Sequence, residues 1–213
     1  MSSLRITEIF CSIQGESTTA GEPTVFVRLT GCPLRCHYCD TAYAFTGGEK
    51  VEIDDIVEQV AAFGVEFVTV TGGEPLAQKD CFALLTALCD AGFNVSLETS
   101  GALSIEDVDA RVRTILDIKT PASGEEDKNL FSNIDHLKPV DEVKFVICDR
   151  RDYEYAMTQI ERQHLADKCQ VLFSPSYQQL EAKRLGQWML DDKAPARLQL
   201  QMHKYLWGDE PGR

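Results

Sequence analysis

Three cysteines, Cys32, Cys36 and Cys39, stand within eight positions in the stretch GCPLRCHYCDT, and an acid and a hydroxyl, Asp40 and Thr41, follow directly. Thiolates are soft ligands. The spacing C-x3-C-x2-C on one short loop suits three corners of a cubane iron-sulfur cluster, with one iron left free of protein and open to chemistry. The alternative is a structural zinc site, but closed zinc sites take four ligands, usually including a second CxxC or a His pair. Here His37 is wedged between two of the cysteines and no second pair follows. The other cysteines, Cys11, Cys81, Cys89, Cys148 and Cys169, sit singly in apolar runs and read as small core residues.

Two further stretches carry chemistry. In TGGEP, residues 71 to 75, Gly72 and Gly73 permit a tight turn and close backbone approach to a ligand, while Pro75 suits a loop or a first helical turn. Alone it is only a turn; at the strand end next after the cysteine loop it reads as a ligand contact, made by the Gly73 backbone. Arg28 interrupts the apolar run TVFVRLT four residues before Cys32. A cation there needs a partner, either an internal salt bridge or a bidentate clamp on a substrate.

These residues need a scaffold that brings loop ends together. Short β-branched and aromatic runs predict strands at Thr24 to Thr30, Val65 to Val70, Phe93 to Glu98, Thr114 to Ile118, Glu142 to Ile147, Gln170 to Phe173 and Arg197 to Leu200. Most are followed by a helical pattern. Ile53, Ile56, Val57, Val60 and Ala61 mark one apolar face ended by Gly64, and Phe82, Leu85, Leu88 and Cys89 another ended by Gly92. Two more cover about residues 150 to 164 and 178 to 190. Such alternation predicts parallel βαβ units in a curved sheet with helices outside, an incomplete β/α barrel. In that architecture the site collects at the C-terminal strand ends, where the cysteine loop and TGGEP both fall.

Composition bounds the rest. A chain of 213 residues, 44% hydrophobic, is long enough for one substantial core, and no linker or repeat divides it, so a single domain spanning 1–213 is expected. With 21 Lys plus Arg against 34 Asp plus Glu, the net charge of −13 speaks against a nucleic-acid partner. The N-terminus lacks the apolar core of a signal peptide, and no stretch approaches the ~18 apolar residues of a membrane span. A cytoplasmic, membrane-free protein is expected, and in that reducing compartment a disulfide framework is not.

The cysteine spacing with Tyr38 before the last cysteine resembles the signature of the radical S-adenosylmethionine (SAM) superfamily, and TGGEP resembles its SAM-binding turn. EIFCSIQGES, FVRLTGC, CDT, ETSG at 98 to 101 and QMHKYLW narrow the resemblance, which runs from Glu8 to Trp207, to the 7-carboxy-7-deazaguanine synthases. It implies a radical SAM partial barrel of about six strands, with short substrate-contacting segments at both chain ends. It also implies a carbon-nitrogen lyase that turns 6-carboxy-5,6,7,8-tetrahydropterin into 7-carboxy-7-deazaguanine and ammonia, on the route to queuosine-type nucleosides. A 4Fe-4S cluster, SAM and Mg2+ come with it, as do a small electron donor such as flavodoxin or ferredoxin and a homodimer.

Carried over position by position, the resemblance gives the cluster to Cys32, Cys36 and Cys39 and the magnesium to Thr41. It surrounds SAM with Tyr38, Cys39, Asp40, Gly73, Ser100, Asp117, Ile118 and Lys119. It surrounds the pterin with Ile13, Gln14, Gly15, Arg28, Thr71 and His203, with Glu16 helping. The Gln14 carboxamide is expected to read the pterin edge, Glu98 and Lys144 to form an internal ion pair, and no protein acid or base is demanded. Some relatives read more like SPK where this chain has LDIKTP, and only Lys119 then matches cleanly there. Arg111, Arg113, Arg150 and Arg151 are candidates for a basic patch facing the electron donor. Another radical SAM enzyme, such as a glycyl-radical activase, would share the cysteine loop and GGEP turn but has no use for the IQGE and HKYL segments. A non-enzymatic zinc or electron-transfer module leaves the strand-end pattern without purpose.

Overall fold

A computed structural model describes residues 2–208, 210 and 212. Met1, and Asp209, Pro211 and Arg213 of the WGDEPGR tail, lie outside the described residues. All seven expected runs become strands, which form the parallel part of one open sheet: β2 (Pro23–Leu29), β4 (Phe67–Gly72), β5 (Asn94–Thr99), β6 (Arg113–Asp117), β7 (Glu142–Ile147), β8 (Gln170–Pro175) and β9 (Arg197–Leu198). Two antiparallel strands extend it, β1 (Ser3–Ile13) and β3 (Glu49–Glu52), giving the order β3-β1-β2-β4-β5-β6-β7-β8-β9. The sheet thus has nine strands where about six were expected. Neither added strand has a clean period: β1 buries Leu4 and Ile6 but carries Glu8 and Ser12, and β3 reads EKVE at an edge.

Alternation along each parallel strand divides the molecule into two faces. Val25, Val27 and Leu29 of β2, Val68 and Val70 of β4, and Val143, Phe145 and Ile147 of β7 are fully buried. They belong to the core formed with the helices α1 (Ile53–Ala62), α2 (Cys81–Asp90), α3 (Arg150–Gln163) and α5 (Ala182–Asp191), while the short α4 (Leu165–Lys168) and α6 (Met202–Trp207) complete the set. The in-between residues, Phe26, Arg28, Thr71, Glu98, Ile115, Asp117 and Lys144, turn to the concave face and line a cavity. Because the strand period is two, one register sorts the apolar set to the core and the chemically active set to the cavity.

The helices follow their sequence signals. In α1, Ile53, Ile56 and Val60 form the buried stripe and Asp54 and Asp55 sit in the first turn, where acids favour the helix dipole. Asp149 caps α3 by accepting from the Asp152 amide at 2.9 Å. All four expected helices form; β5 and β6 are followed by irregular chain and short 3-10 turns. Backbone of the segment after β5 is satisfied by the fully buried Asn133. It donates to the carbonyls of Gly101 (3.2 Å) and Leu103 (2.8 Å) and accepts from the Ile105 amide at 3.1 Å.

Candidate active site

The cysteine loop leaves β2 and is fastened on both sides. Gly31 N donates to the Ala44 carbonyl at 2.8 Å, and His37 N to the Ser123 carbonyl at 3.0 Å. Arg35 N donates to Glu125 Oε1 at 2.6 Å, while the Arg35 guanidinium lies 4.2 Å from the Phe45 ring centre. Cys32, Cys36 and Cys39 are free, half-buried and line the same cavity of about 520 Å³. The Leu34 amide points at Cys32 Sγ, 3.4 Å away. Burial pushes the Cys32 thiol up and the Cys36 thiol up to about 11, against the pull of the Lys119 ammonium. Metal must therefore displace protons here as it binds. Among the described residues no three His, Cys, Asp or Glu side chains converge tightly enough to hold one ion. A cubane does not ask them to, since each thiolate takes its own iron. Tyr38, between two of the cysteines, has a buried hydroxyl without a partner among the described residues, and burial raises its pKa. Free thiols around a cavity and an orphaned hydroxyl beside them fit a cluster with an organic ligand.

The GGEP turn crosses over this loop. A Cβ on Gly73 would stand 2.4 Å from the Gly31 carbonyl oxygen and 2.6 Å from Cys32 Cβ, so glycine there allows the two loops to touch. Glu74, which sequence reasoning passed over, is fully buried. It accepts from Leu76 N (3.0 Å), Thr99 Oγ1 (3.0 and 2.9 Å), Ser100 N (2.7 Å) and the Ser100 hydroxyl. Those bonds weld the end of β4 to the end of β5 and fix Ser100, which lines the cavity with Gly73, Asp117 and Lys119. Ile118 is placed otherwise: its side chain is buried in the core, and its amide donates to the Lys144 carbonyl at 2.9 Å.

A charged floor crosses the cavity. Lys144 lies 2.7 Å from Glu16 Oε2 and 3.5 Å from Asp117 Oδ2, and Lys119 lies 3.2 Å from Asp117 Oδ1. The ion-pair partners of Lys144 are thus Glu16 and Asp117; Glu98, expected to pair with it, accepts instead from Thr71 Oγ1 at 3.0 Å. The position of Glu16 on a distant loop kept this pairing out of reach of the strand pattern. Burial would raise the Glu16 carboxyl, but the Lys144 charge and hydrogen bonds from Lys144 and Gln201 hold it down to about 2. Burial raises Glu98, and Lys144 only partly offsets it. One buried ammonium therefore sets two carboxylates apart.

The opposite wall is built on β1 and β2. Arg28 Nε donates to Glu8 Oε1 at 2.6 Å, and Tyr43 OH donates to the same oxygen at 2.8 Å. Phe10 and Phe26 stack 5.1 Å apart beside them. Thr41 Oγ1 donates its hydrogen to Asp40 Oδ1 at 2.8 Å, which leaves the hydroxyl lone pairs for a hard cation.

The two ends of the chain meet over the cavity. Met202 N donates to the Gly15 carbonyl at 3.0 Å, and Gln201 Nε2 to Glu16 Oε1 at 2.9 Å. A Cβ on Gly15 would stand 2.2 Å from His203 Nδ1, so the imidazole packs where only glycine leaves room. Burial lowers the His203 pKa, with Glu16 opposing. Below them, the carboxylate of Glu142 accepts from Thr18 N at 3.1 Å and anchors the loop. Ile13, Gln14, Gly15, Thr71 and His203 all line the cavity. The Gln14 carboxamide is already engaged, donating to Thr69 Oγ1 at 3.1 Å and accepting from Glu16 N at 3.0 Å.

Outside the cavity two expectations change. Arg111 pairs with Asp90 and Asp109, Arg113 with Glu142, and Arg150 with Glu154 and Asp192, so these three do not form an uncompensated patch, while the fourth candidate, Arg151, is exposed. Of the single cysteines, Cys81 and Cys169 are buried in the core and Cys11 and Cys89 pack against it, whereas Cys148 is half-buried.

Comparison with known proteins agrees in range and in kind. The model of the Radical SAM superfamily matches residues 26–118. The chain is 47% identical to a 7-carboxy-7-deazaguanine synthase of Chlorobaculum tepidum, over 97% of this chain and 96% of that one. It is 42% identical to a 7-carboxy-7-deazaguanine synthase of Koribacter versatilis, over 97% and 98%. Among solved structures, the crystal structure of QueE from Escherichia coli superposes with a TM-score of 0.78, covering 94% of this chain and 95% of that one at 23% identity, a likeness of fold.

Proposed function

The chain belongs to the 7-carboxy-7-deazaguanine synthases of the radical SAM superfamily, and we propose that its strand-end cavity seats the pterin between Arg28, Thr71 and the Ile13–Gly15 segment. The protein is a carbon-nitrogen lyase that converts 6-carboxy-5,6,7,8-tetrahydropterin to 7-carboxy-7-deazaguanine with release of ammonia, a step toward queuosine-type 7-deazapurines. It works with a 4Fe-4S cluster and SAM. When bound, these supply a 5′-deoxyadenosyl radical for reversible hydrogen abstraction at C6 of the pterin.

Cys32, Cys36 and Cys39 would hold the cluster, with their loop braced by Ser123 and Glu125. Tyr38, Cys39, Asp40, Gly73, Ser100, Asp117 and Lys119 would surround SAM, with Ile118 limited to its backbone. Thr41 would give a hydroxyl oxygen to Mg2+, whose remaining positions suit water and the substrate carboxylate. The chain's own work is orientation. Arg28 directs terminal N–H donors to the substrate, Thr71 is held by Glu98, and Glu16 ties the substrate segment to the C-terminal one. His203, kept neutral by burial, closes the cavity from the C-terminal side and helps exclude water.

The observation that carries this reading is the convergence in one cavity of the cysteine loop, the GGEP turn and both chain ends. Residues 1–213 then act as one catalytic unit in the cytoplasm; among the described residues no helix is long and apolar enough to cross a membrane. A homodimer and a flavodoxin- or ferredoxin-type donor complete the proposal, and the exposed Leu198 and Leu200 at the β9 edge support a protein contact there. The test is anaerobic reconstitution with iron, sulfide, SAM, reductant, Mg2+ and 6-carboxytetrahydropterin. Ammonia and the deazaguanine acid are expected from the wild type and not from Cys36→Ala. An intact, SAM-responsive cluster that yields no product would refute the assignment.

A further inference from the structure

We propose that Glu8 is a positioning residue, assisted by Tyr43, that turns Arg28 end-on toward a carboxylate, so that this wall selects carboxylated over uncarboxylated pterins. The inference rests on Arg28 as the substrate clamp. Glu8 and Arg28 face each other across the β1–β2 pair, and their side chains are mostly buried, with 22% and 15% exposure. A guanidinium can grip a carboxylate side-on, through Nε and one terminal nitrogen, or end-on, through both terminal nitrogens. Glu8 Oε1 takes Nε–H at 2.6 Å, which leaves the end-on mode.

Tyr43 fixes the acceptor itself. Its hydroxyl donates to the same Glu8 oxygen, and its ring centre lies 5.8 Å from Arg28 Cζ, as does that of Phe10. The two rings and one oxygen thus restrict the plane and the roll of the guanidinium. Tyr43 also stands two residues beyond Thr41, in the turn Ala42–Phe45, so the clamp is tied to the loop assigned to the cation. The Glu8–Arg28 pair is neutral as a whole, so its attraction for an anion depends on which N–H groups it presents. Charge alone does not supply the selectivity.

Equilibrium dialysis of the reconstituted holoenzyme, without reductant, against 6-carboxypterin and against pterin tests this. Loss of one oriented charged hydrogen bond corresponds to roughly tenfold in affinity. Glu8→Ala should cut the preference for 6-carboxypterin about tenfold and Tyr43→Phe about threefold. Glu8→Gln, whose amide oxygen still accepts from Nε, should stay within about twofold, and pterin binding should be unchanged throughout. In turnover, Glu8→Ala should raise KM for the carboxylated substrate with kcat nearly constant. If Arg28→Ala abolishes the preference while Glu8→Ala leaves it intact, the role of Glu8 is wrong and the Arg28 reading stands. If Arg28→Ala keeps the preference, the clamp reading fails and the proposal with it. Equal losses in Glu8→Gln and Glu8→Ala, or equal losses for both ligands, overturn orientation as the cause.

Discussion

Replacing Glu16 by Gln removes one charge from the buried floor while keeping the side-chain shape and an acceptor for Gln201. The Glu16 carboxyl is held at about 2 instead of 4.5, a shift of roughly 2.5 units, and at about 1.36 kcal/mol per unit its ionised form gains about 3 kcal/mol on folding. Lys144 retains Asp117 at 3.5 Å, so Glu16→Gln should cost about 2–3 kcal/mol at pH 7, at or just below the range for breaking a buried pair. The sign follows from linkage. A depressed folded-state pKa contributes stability that is fully present above the unfolded value and is lost as pH falls toward about 2. The gap between wild type and variant should therefore be flat from pH 7 to about 5.5 and shrink to less than half by about pH 3. Urea denaturation under reducing conditions at several pH values measures it. A gap that does not change with pH would assign the loss to packing, and a gap below about 0.5 kcal/mol at pH 7 would refute the buried-pair argument.

Three further outcomes follow from single residues. Glu74→Ala strands the donors of Thr99, Ser100 and Leu76, each costing about 1–3 kcal/mol if unsatisfied; a loss near 3 kcal/mol by denaturation is expected, with weaker SAM binding by calorimetry. Gly15→Ala drives a methyl into His203, so amide hydrogen exchange over residues 199–207 should speed up about tenfold or more, a local opening of over 1.4 kcal/mol, while core amides in β7 stay protected. Phe145→Ala empties a site that is fully buried and in edge contact with Phe173 at 5.9 Å, so a loss of about 3–5 kcal/mol is expected in the same denaturation assay.

The parts of this molecule that were legible in its sequence are those whose cause is local. A strand such as EVKFVI announces itself because Val143, Phe145 and Ile147 alternate with Glu142 and Lys144, and the cysteine loop because its three ligands are neighbours in the chain. What stayed hidden was set by partners far away. Glu74 looks like one more acid in an acidic chain until Thr99 and Ser100 are folded against it. The same holds for Glu8, whose meaning depends on Arg28 across the strand pair, and for Lys144, whose partner Glu16 is 128 positions away. The irregular segment after β5 escaped for a related reason, because the buried Asn133 that satisfies it comes from 28 to 32 residues downstream.

The same contrast explains why glycine is easy to see and hard to interpret. TGGEP reads naturally as backbone cleared for a ligand, yet the space beside Gly73 is taken by Gly31 and Cys32, and that beside Gly15 by His203. In both places the missing side chain lets two parts of the protein touch: the cluster loop against the GGEP turn, and the N-terminal segment against the C-terminal one. A substitution at either glycine acts first on the chain's own closure and only through it on a ligand. These four segments thus hold one another by close contact, and two buried carboxylates add further ties, Glu74 from the GGEP turn to the end of β5 and Glu16 from the N-terminal segment to the C-terminal one. Loss of Glu74 should therefore be felt at the SAM side and loss of Glu16 at the pterin side. This division would not survive if Glu74→Ala raised KM for the pterin while leaving SAM affinity unchanged.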